Sequence, residues 1–111
     1  MKRSFRLTRR AEDSLVAIAR WTGETFGAHQ ADIYEAVLLS RCDAIVNGQV
    51  QSRSCAILVD VVKGLRFLRA GEHFLVFLDR PDQVIIVDFV HSRSDLFRHV
   101  AARTALKGDD N

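Results

Sequence analysis

The stretch that decides the fold spans residues 64–91 and reads G-L-R-F-L-R-A-G-E-H-F-L-V-F-L-D-R-P-D-Q-V-I-I-V-D-F-V-H. Three hydrophobic runs, at 65–69, 73–78 and 83–91, are separated by the short sequences Ala-Gly-Glu and Asp-Arg-Pro-Asp. This spacing predicts three strands joined by tight turns, a β-meander. The last run is apolar at almost every position, which predicts a central strand or one that is covered on both faces.

Two helices are predicted on the N-terminal side of the meander. Thr8 is placed to cap a helix over residues 9–26, which has one apolar face and ends at a glycine. A second helix spans about residues 28–46, and Asn47-Gly48 ends it because both residues tolerate positive φ. Two long helices joined by about two residues should pack as an antiparallel hairpin.

The predicted fold class is α+β. Residues 4–7 alternate polar and apolar side chains and predict a short first strand, so the order is β-α-α-β-β-β with the helical hairpin on one face of a small antiparallel sheet. A short helical segment is expected at about residues 95–105. Residues 49–64 give no clear prediction. Their first part is typical of a loop, whereas A-I-L-V-D-V-V at 56–62 fits a strand, a buried helical turn or a surface that a partner covers.

Composition indicates one small globular domain. The 111 residues are 48% hydrophobic and 27% charged, and we expect a single domain over residues 1–107 with a disordered acidic tail at 108–111. The net charge of +2 does not by itself indicate nucleic-acid binding, although residues 1–20 carry six basic groups against two acids.

A cytoplasmic location is expected. The basic start is not followed by an apolar segment, so a secretion signal is not predicted, and no apolar run approaches the roughly 20 residues of a membrane helix. Cys42 and Cys55 lack metal-ligand spacing, so reduced thiols are expected, with a disulfide between them as the alternative. No metal or other cofactor is predicted.

Five sequence blocks resemble those of one known family. They are F-R-L-T-R-R-A-E-D-S-L at 5–15, W-T-G-E-T-F-G at 21–27, G-L-R-F-L at 64–68, G-E-H-F-L-V-F at 71–77 and H-S-R-S-D-L-F-R-H-V at 91–100. In this order they resemble the RelE/ParE superfamily of bacterial toxins, and the ParE branch in particular, over about residues 5–100. Two features depart from that pattern. The 56–62 segment is apolar where relatives have a polar, proline-containing loop, and Asp88 stands where basic residues are common.

The resemblance implies the toxin of a type II toxin–antitoxin system. Such a toxin is neutralised by a small ParD-like antitoxin, in a hetero-oligomer that we expect to be 2:2 or larger through antitoxin dimerisation. ParE-like members poison DNA gyrase, and the toxin–antitoxin complex represses its own operon with the antitoxin contacting operator DNA. RelE-like members of the same fold are instead ribosome-dependent mRNA endonucleases. A non-toxic co-repressor scaffold is a third possibility, and no membrane partner is implied.

The residues favour a toxin that acts by binding over a nuclease. Metal-free RNA cleavage needs a base, an acid and a cation for the transition state. Phe74 matches the position at which the nucleases often present an arginine, so we assign no catalytic residue. His99 and Arg93, which match basic or acid–base positions of the nucleases, remain the candidates of the nuclease alternative.

The candidate contact residues form two groups. Arginine suits acidic side chains and phosphates because its planar fork forms bidentate hydrogen bonds, and the candidates for binding the target or a partner are Arg66, Arg69, Arg93, Phe97, Arg98 and His99. One of these arginines is expected to pair with Asp88, whose carboxylate would otherwise be costly to bury. Trp21 and Phe26 fall off the apolar face of the first helix, so they either pack in the core under the helix turn or form an antitoxin groove.

Three further histidines receive structural interpretations. His91 is expected to be hydrogen-bonded at the end of its strand, His73 to be solvated beside a turn, and His29 to be exposed at the start of the second helix. No set of histidines and cysteines is placed to bind a metal.

Overall fold

The structure, a computed structural model, describes residues 3–54 and 64–93. In chain order its elements are β1 (Ser4–Leu7), α1 (Arg9–Phe26), α2 (Ala28–Val46), β2 (Arg53–Ser54), β3 (Leu65–Ala70), β4 (His73–Asp79) and β5 (Gln83–His91). The α+β order predicted from the sequence is confirmed. The short β2 is an addition, within a stretch that was expected to be loop. The predicted helix at 95–105, the 56–62 segment and the acidic tail lie outside the described residues.

The strands form one sheet in the order β1-β5-β4-β3-β2. All neighbours are antiparallel except β1 and β5, which are parallel with Ser4 opposite Gln83. A parallel pair requires a long crossover connection, and here the chain between the two strands contains both helices and the other strands. β5 therefore lies inside the sheet between β1 and β4, which confirms the prediction drawn from its apolar sequence.

Local signals fix the ends of the helices. The Thr8 hydroxyl accepts a hydrogen bond from the Ala11 backbone N–H at 3.1 Å, the expected N-cap, and also donates to the Val87 carbonyl at 2.7 Å. Gly27 separates the helices with a φ of 98°, and Gly48 follows the second with a φ of 69°. These left-handed conformations favour glycine.

The hairpin packs on one face of the sheet and encloses the main core. The largest fully buried side chains of this core come from α2, β4 and β5, namely Leu38, Cys42, Ile45, Leu75, Phe77, Val84 and Ile86. A second buried cluster lies on the opposite face of the sheet and consists of Leu65, Phe67, Val76 and Leu78. Neither helix in the described part of the chain has the length and hydropathy of a membrane span.

Asp88 is paired, but with a partner that the sequence did not predict. Its carboxylate accepts hydrogen bonds from the Ser14 hydroxyl at 2.5 Å and from the Arg10 Nε at 3.0 Å. The expected pairing is therefore wrong for Arg66, Arg69 and Arg93, and the fourth candidate, Arg98, lies outside the described residues. The register of β4 and β5 shifts between Val76 and Phe77. Strand alternation places Asp88 on the same face as Val84 and Ile86, which meets the hairpin, so its carboxylate faces α1. The bulge returns the next residue, Phe89, to this face as well.

Arg3 joins the end of α2 to the β4–β5 turn. Its guanidinium donates to the carbonyl oxygens of Ile45 at 2.9 Å and Val46 at 3.0 Å. It also pairs with the Asp79 carboxylate and donates to the Arg80 carbonyl at 3.1 Å. A cation at the C-terminal end of a helix also complements the helix dipole.

Candidate partner-binding cleft

A cleft of about 550 Å³ opens where the end of α1, the start of α2, the β3–β4 turn and the end of β5 meet. We call it the Trp21 cleft, and its lining residues are Trp21, Thr22, Phe26, Gln30, Tyr34, Glu72, His73, His91 and Arg93. A smaller cavity of about 370 Å³ shares Trp21, His73 and His91 with it and continues along α1 past Ala17 and Ile18. The two cavities together form a groove beside α1.

Two exposed aromatic side chains stand at this cleft. Trp21 is 59% exposed and Phe26 is 65% exposed, and their rings meet edge to face with centroids 5.9 Å apart. Core packing, one of the two interpretations offered by the sequence, is therefore wrong for both residues. Thr22, one position along from Trp21, is the buried residue at this turn of α1. Adjacent exposed aromatic side chains beside a concave surface are typical of a protein–protein contact.

The floor of the cleft holds a hydrogen-bonded tyrosine–histidine pair. The Tyr34 hydroxyl lies 2.6 Å from Nδ1 of His73 and accepts the Glu72 backbone N–H at 2.8 Å. Because the hydroxyl oxygen accepts from Glu72, its proton is placed to donate to Nδ1, so we assign the neutral imidazole its proton on Nε2. Burial raises the pKa of Tyr34, which keeps its hydroxyl protonated.

His73 is buried, because it begins β4 on the face that meets α2. The prediction that it is solvated beside a turn was therefore wrong. Its side chain is only 9% exposed. Burial, and secondly the nearby His91, lower its pKa from 6.5 to about 4. His73 is therefore neutral at physiological pH. His29, in contrast, is exposed as predicted.

Gly71 allows the tyrosine to approach the turn. It has a φ of 61° between β3 and β4, and a Cβ at this position would lie 2.7 Å from Cε1 of Tyr34. A positive φ at the first position of a two-residue turn is the type II′ pattern, which favours glycine. The residue is thus required both by the backbone conformation and by the space that Tyr34 occupies.

His91 and Arg93 complete the rim. The His91 ring meets the His73 ring edge to face with centroids 5.0 Å apart. Its Nδ1 accepts the Arg93 backbone N–H at 3.0 Å, which confirms the expected hydrogen bond at the end of the strand. The structure thus brings Arg93, a candidate for binding the target or a partner, into the same cleft as the antitoxin-groove candidates Trp21 and Phe26.

The other predicted arginines lie elsewhere. Arg66 is half-buried and donates to the hydroxyl and carbonyl oxygens of Ser52 at 2.6 and 2.9 Å. Arg69 pairs with Glu72 at 3.7 Å and lies over the Phe74 ring, with its Cζ 5.5 Å from the ring centroid. The remaining candidates, Phe97, Arg98 and His99, lie outside the described residues.

Sequence reasoning missed the polar floor of the cleft. Tyr34, Gln30 and Glu72 were not among the candidate site residues. Only the Gly-Glu-His turn at 71–73 carried a local signal for this arrangement. Within residues 3–54 and 64–93, no group of three or more histidine, cysteine or acidic side chains could hold a metal ion.

Comparison with known proteins identifies the family model that the chain matches. Residues 5–96 match the model described as "ParE toxin of type II toxin-antitoxin system, parDE". A search of curated proteins found no match. Among solved structures, a chain of the "Chromosomal ParDE TA system from P. aeruginosa" superimposes with a TM-score of 0.65 at 18% sequence identity. The match covers 81% of this chain and 96% of that one, so the two share a fold.

Proposed function

Because the chain belongs to the ParE toxin family of type II toxin–antitoxin systems, we propose that it arrests growth by binding DNA gyrase and that a ParD-like antitoxin neutralises it. In this proposal the toxin acts in the cytoplasm without a cofactor and without catalytic turnover. The toxin–antitoxin complex represses its own operon, and the antitoxin makes the contacts with operator DNA.

The observation that carries the proposal is the exposed aromatic pair at the Trp21 cleft. Trp21 and Phe26 leave most of their ring surface in water, and burying such surface is the main source of affinity in protein–protein contacts. An amphipathic helix of the antitoxin would cover this surface by the helix-in-groove mode of recognition.

An antitoxin bound in this cleft would also cover Arg93. Arg93 lines the cleft together with Trp21 and Phe26, so one ligand can occupy the predicted antitoxin contacts and a predicted target contact at once. Neutralisation then follows from occlusion, because gyrase and antitoxin compete for the same surface. A 2:2 or larger complex would arise from dimerisation of the antitoxin.

The environment of Phe74 supports binding over RNA cleavage. Its ring packs edge to face on Phe67 with centroids 5.7 Å apart, and the Arg69 guanidinium lies over it. The position that the nucleases equip with an arginine therefore carries a phenyl ring, and the neighbouring Arg69 guanidinium is engaged with that ring, with Glu72 and with the Gly71 carbonyl. A phenyl ring supplies neither a proton nor a full positive charge to a phosphorane transition state.

The test is inducible expression of the chain, followed by a supercoiling assay with purified gyrase. We expect growth arrest that co-expression of the antitoxin relieves, and loss of supercoiling activity on addition of the purified toxin. Trp21→Ala should weaken both the growth arrest and the inhibition of supercoiling. Val16→Ala, at a residue of equal exposure on the same helix, should weaken neither. Rapid mRNA loss with intact supercoiling would replace the proposal with the nuclease function. No arrest at any expression level would leave only the co-repressor scaffold.

A further inference from the structure

His73 places a hydrogen-bond donor at the floor of the Trp21 cleft. The residue is nine-tenths buried, and its Nδ1 is occupied by the Tyr34 hydroxyl. Nε2 makes no hydrogen bond within the described part of the chain. Every fully buried side-chain nitrogen or oxygen in that part has a hydrogen-bond partner, so Nε2 is not fully buried. Its N–H is therefore accessible from the cavities that His73 lines.

His91 supplies a second donor of the same kind. Its Nδ1 accepts from the Arg93 backbone, so the neutral ring also carries its proton on Nε2. The centroids of the two imidazole rings are 5.0 Å apart and both rings line the same cleft. Two N–H donors on neighbouring rings of one cleft suit the two oxygens of one carboxylate, and charge-assisted bonds of this type are the stronger ones.

The walls of the cleft define the other half of the ligand. Trp21 and Phe26 flank its mouth, and the groove continues past Ala17 and Ile18. A large apolar side chain can pack against the exposed surface of this aromatic pair. The acidic lining residue Glu72 pairs with Arg69. The two imidazole donors, together with the Arg93 side chain that also lines the cleft, favour a hydrogen-bond acceptor over an amine.

We infer that the Trp21 cleft binds a helix of the antitoxin that carries a large apolar residue and an acidic residue one turn apart. The apolar side chain packs on the exposed surface of Trp21 and Phe26, and the carboxylate accepts hydrogen bonds from Nε2 of His73 and His91. Residues three or four apart on a helix have Cβ atoms roughly 5–6 Å apart, so both can reach one cleft. This inference rests on the proposed function, since it specifies the chemistry of the antitoxin segment.

The experiment titrates purified antitoxin into the toxin by calorimetry and follows Trp21 fluorescence in parallel. Trp21 is the only tryptophan of this chain, so with a tryptophan-free antitoxin the signal reports on the cleft itself. His73→Asn keeps an acceptor for Tyr34 but removes the Nε2 donor, and we expect it to raise the Kd about 5- to 100-fold. His91→Asn should act in the same direction and lies on an exposed residue, so loss of folding does not confound it.

Acid-to-amide substitutions in the antitoxin identify the carboxylate. One of them should raise the Kd of the wild-type toxin by a similar factor and have little further effect on His73→Asn, as a double-mutant cycle requires for two groups in contact. Val16→Ala is the control and should leave the Kd within about twofold of wild type. An unchanged Kd for both histidine variants, with binding intact, would overturn the inference but not the proposed function. Absence of any complex with the wild-type toxin would overturn both.

Discussion

Replacing Gly71 by alanine places a methyl group against the Tyr34 ring. The added Cβ would lie 2.7 Å from Cε1 and 2.8 Å from the hydroxyl oxygen of Tyr34, at a residue whose φ is 61°. Tyr34 cannot move away without giving up its hydrogen bonds to His73 and to the Glu72 backbone. The substitution therefore strains the turn and also breaks the hydrogen bonds of Tyr34 at the floor of the cleft.

The expected loss of stability has two parts. A left-handed conformation costs an alanine about 1–2 kcal/mol relative to glycine. Displacement of Tyr34 adds the net value of two hydrogen bonds, about 1 kcal/mol each, with some loss of packing. Gly71→Ala should thus lower the free energy of unfolding by about 2–5 kcal/mol. The matched control is Gly48→Ala, because Gly48 has a similar φ of 69° but no atom within 4 Å of the added Cβ. Its expected loss is about 1–2 kcal/mol.

The measurement is urea unfolding followed by far-UV circular dichroism for the wild type and both variants. Alanine restricts the unfolded chain equally at the two positions, so the difference between the variants isolates the contact with Tyr34. For an m value of about 1.5 kcal/mol/M, an additional 1–3 kcal/mol separates the two midpoints by about 0.7–2 M. Equal midpoints would refute the argument. A double variant that adds Tyr34→Ala should abolish most of the separation, because the steric conflict is then removed.

Three further predictions concern acid stability, a structural arginine and a buried thiol. The unfolded chain binds a proton at His73 near pH 6.5, whereas the folded protein does so only near pH 4. The free energy of unfolding should therefore keep its full value above pH 6.5 and fall by up to about 3 kcal/mol as the pH is lowered towards 4. Chemical unfolding at several pH values checks this, and His73→Asn should flatten that part of the profile. Arg3→Ala removes the four hydrogen bonds that join α2 to the β4–β5 turn and should cost about 2–4 kcal/mol in thermal or urea unfolding, against about 1 kcal/mol or less for Asp79→Asn. Equal losses would show that the helix carbonyls contribute nothing. Burial, and secondly the Asp43 charge, raise the pKa of the Cys42 thiol to about 12. In a Cys55→Ser background Cys42 should therefore react with a thiol reagent only after unfolding, and fast labelling of the native protein would contradict this burial.

The boundaries of the helices and of the main strands followed from the sequence because their causes are local. Thr8 caps α1 through a residue three positions away, and Gly27 and Gly48 adopt positive φ where the helices end. The sequence of β5 likewise indicated an interior strand, because a strand that is buried on both faces lacks the usual alternation of apolar and polar residues. The strand β2 was missed because its two residues form a strand only through pairing with Phe67 and Arg66.

The candidate site was predicted only in part. Trp21, Phe26 and Arg93 were singled out from their positions in the sequence, but the sequence did not place them in one cleft. The partner of Asp88 was sought among the arginines of the strands and the C-terminal segment, whereas its side chain lies on the helix-facing side of β5 and meets Arg10 and Ser14 of α1. The contacts of Phe97, Arg98 and His99 remain predictions.

The sequence by itself determined the elements, their order, the α+β class and the resemblance to the ParE toxins, because helix periodicity, turn residues and strand composition act over a few residues. The tertiary structure decided what the cleft contains. Tyr34 and His73 are 39 residues apart in the chain and meet at 2.6 Å, and His73 reaches His91 only through the pairing of β4 with β5. Burial, tautomer and the depressed pKa of His73 all follow from these long-range contacts, which no local pattern specifies.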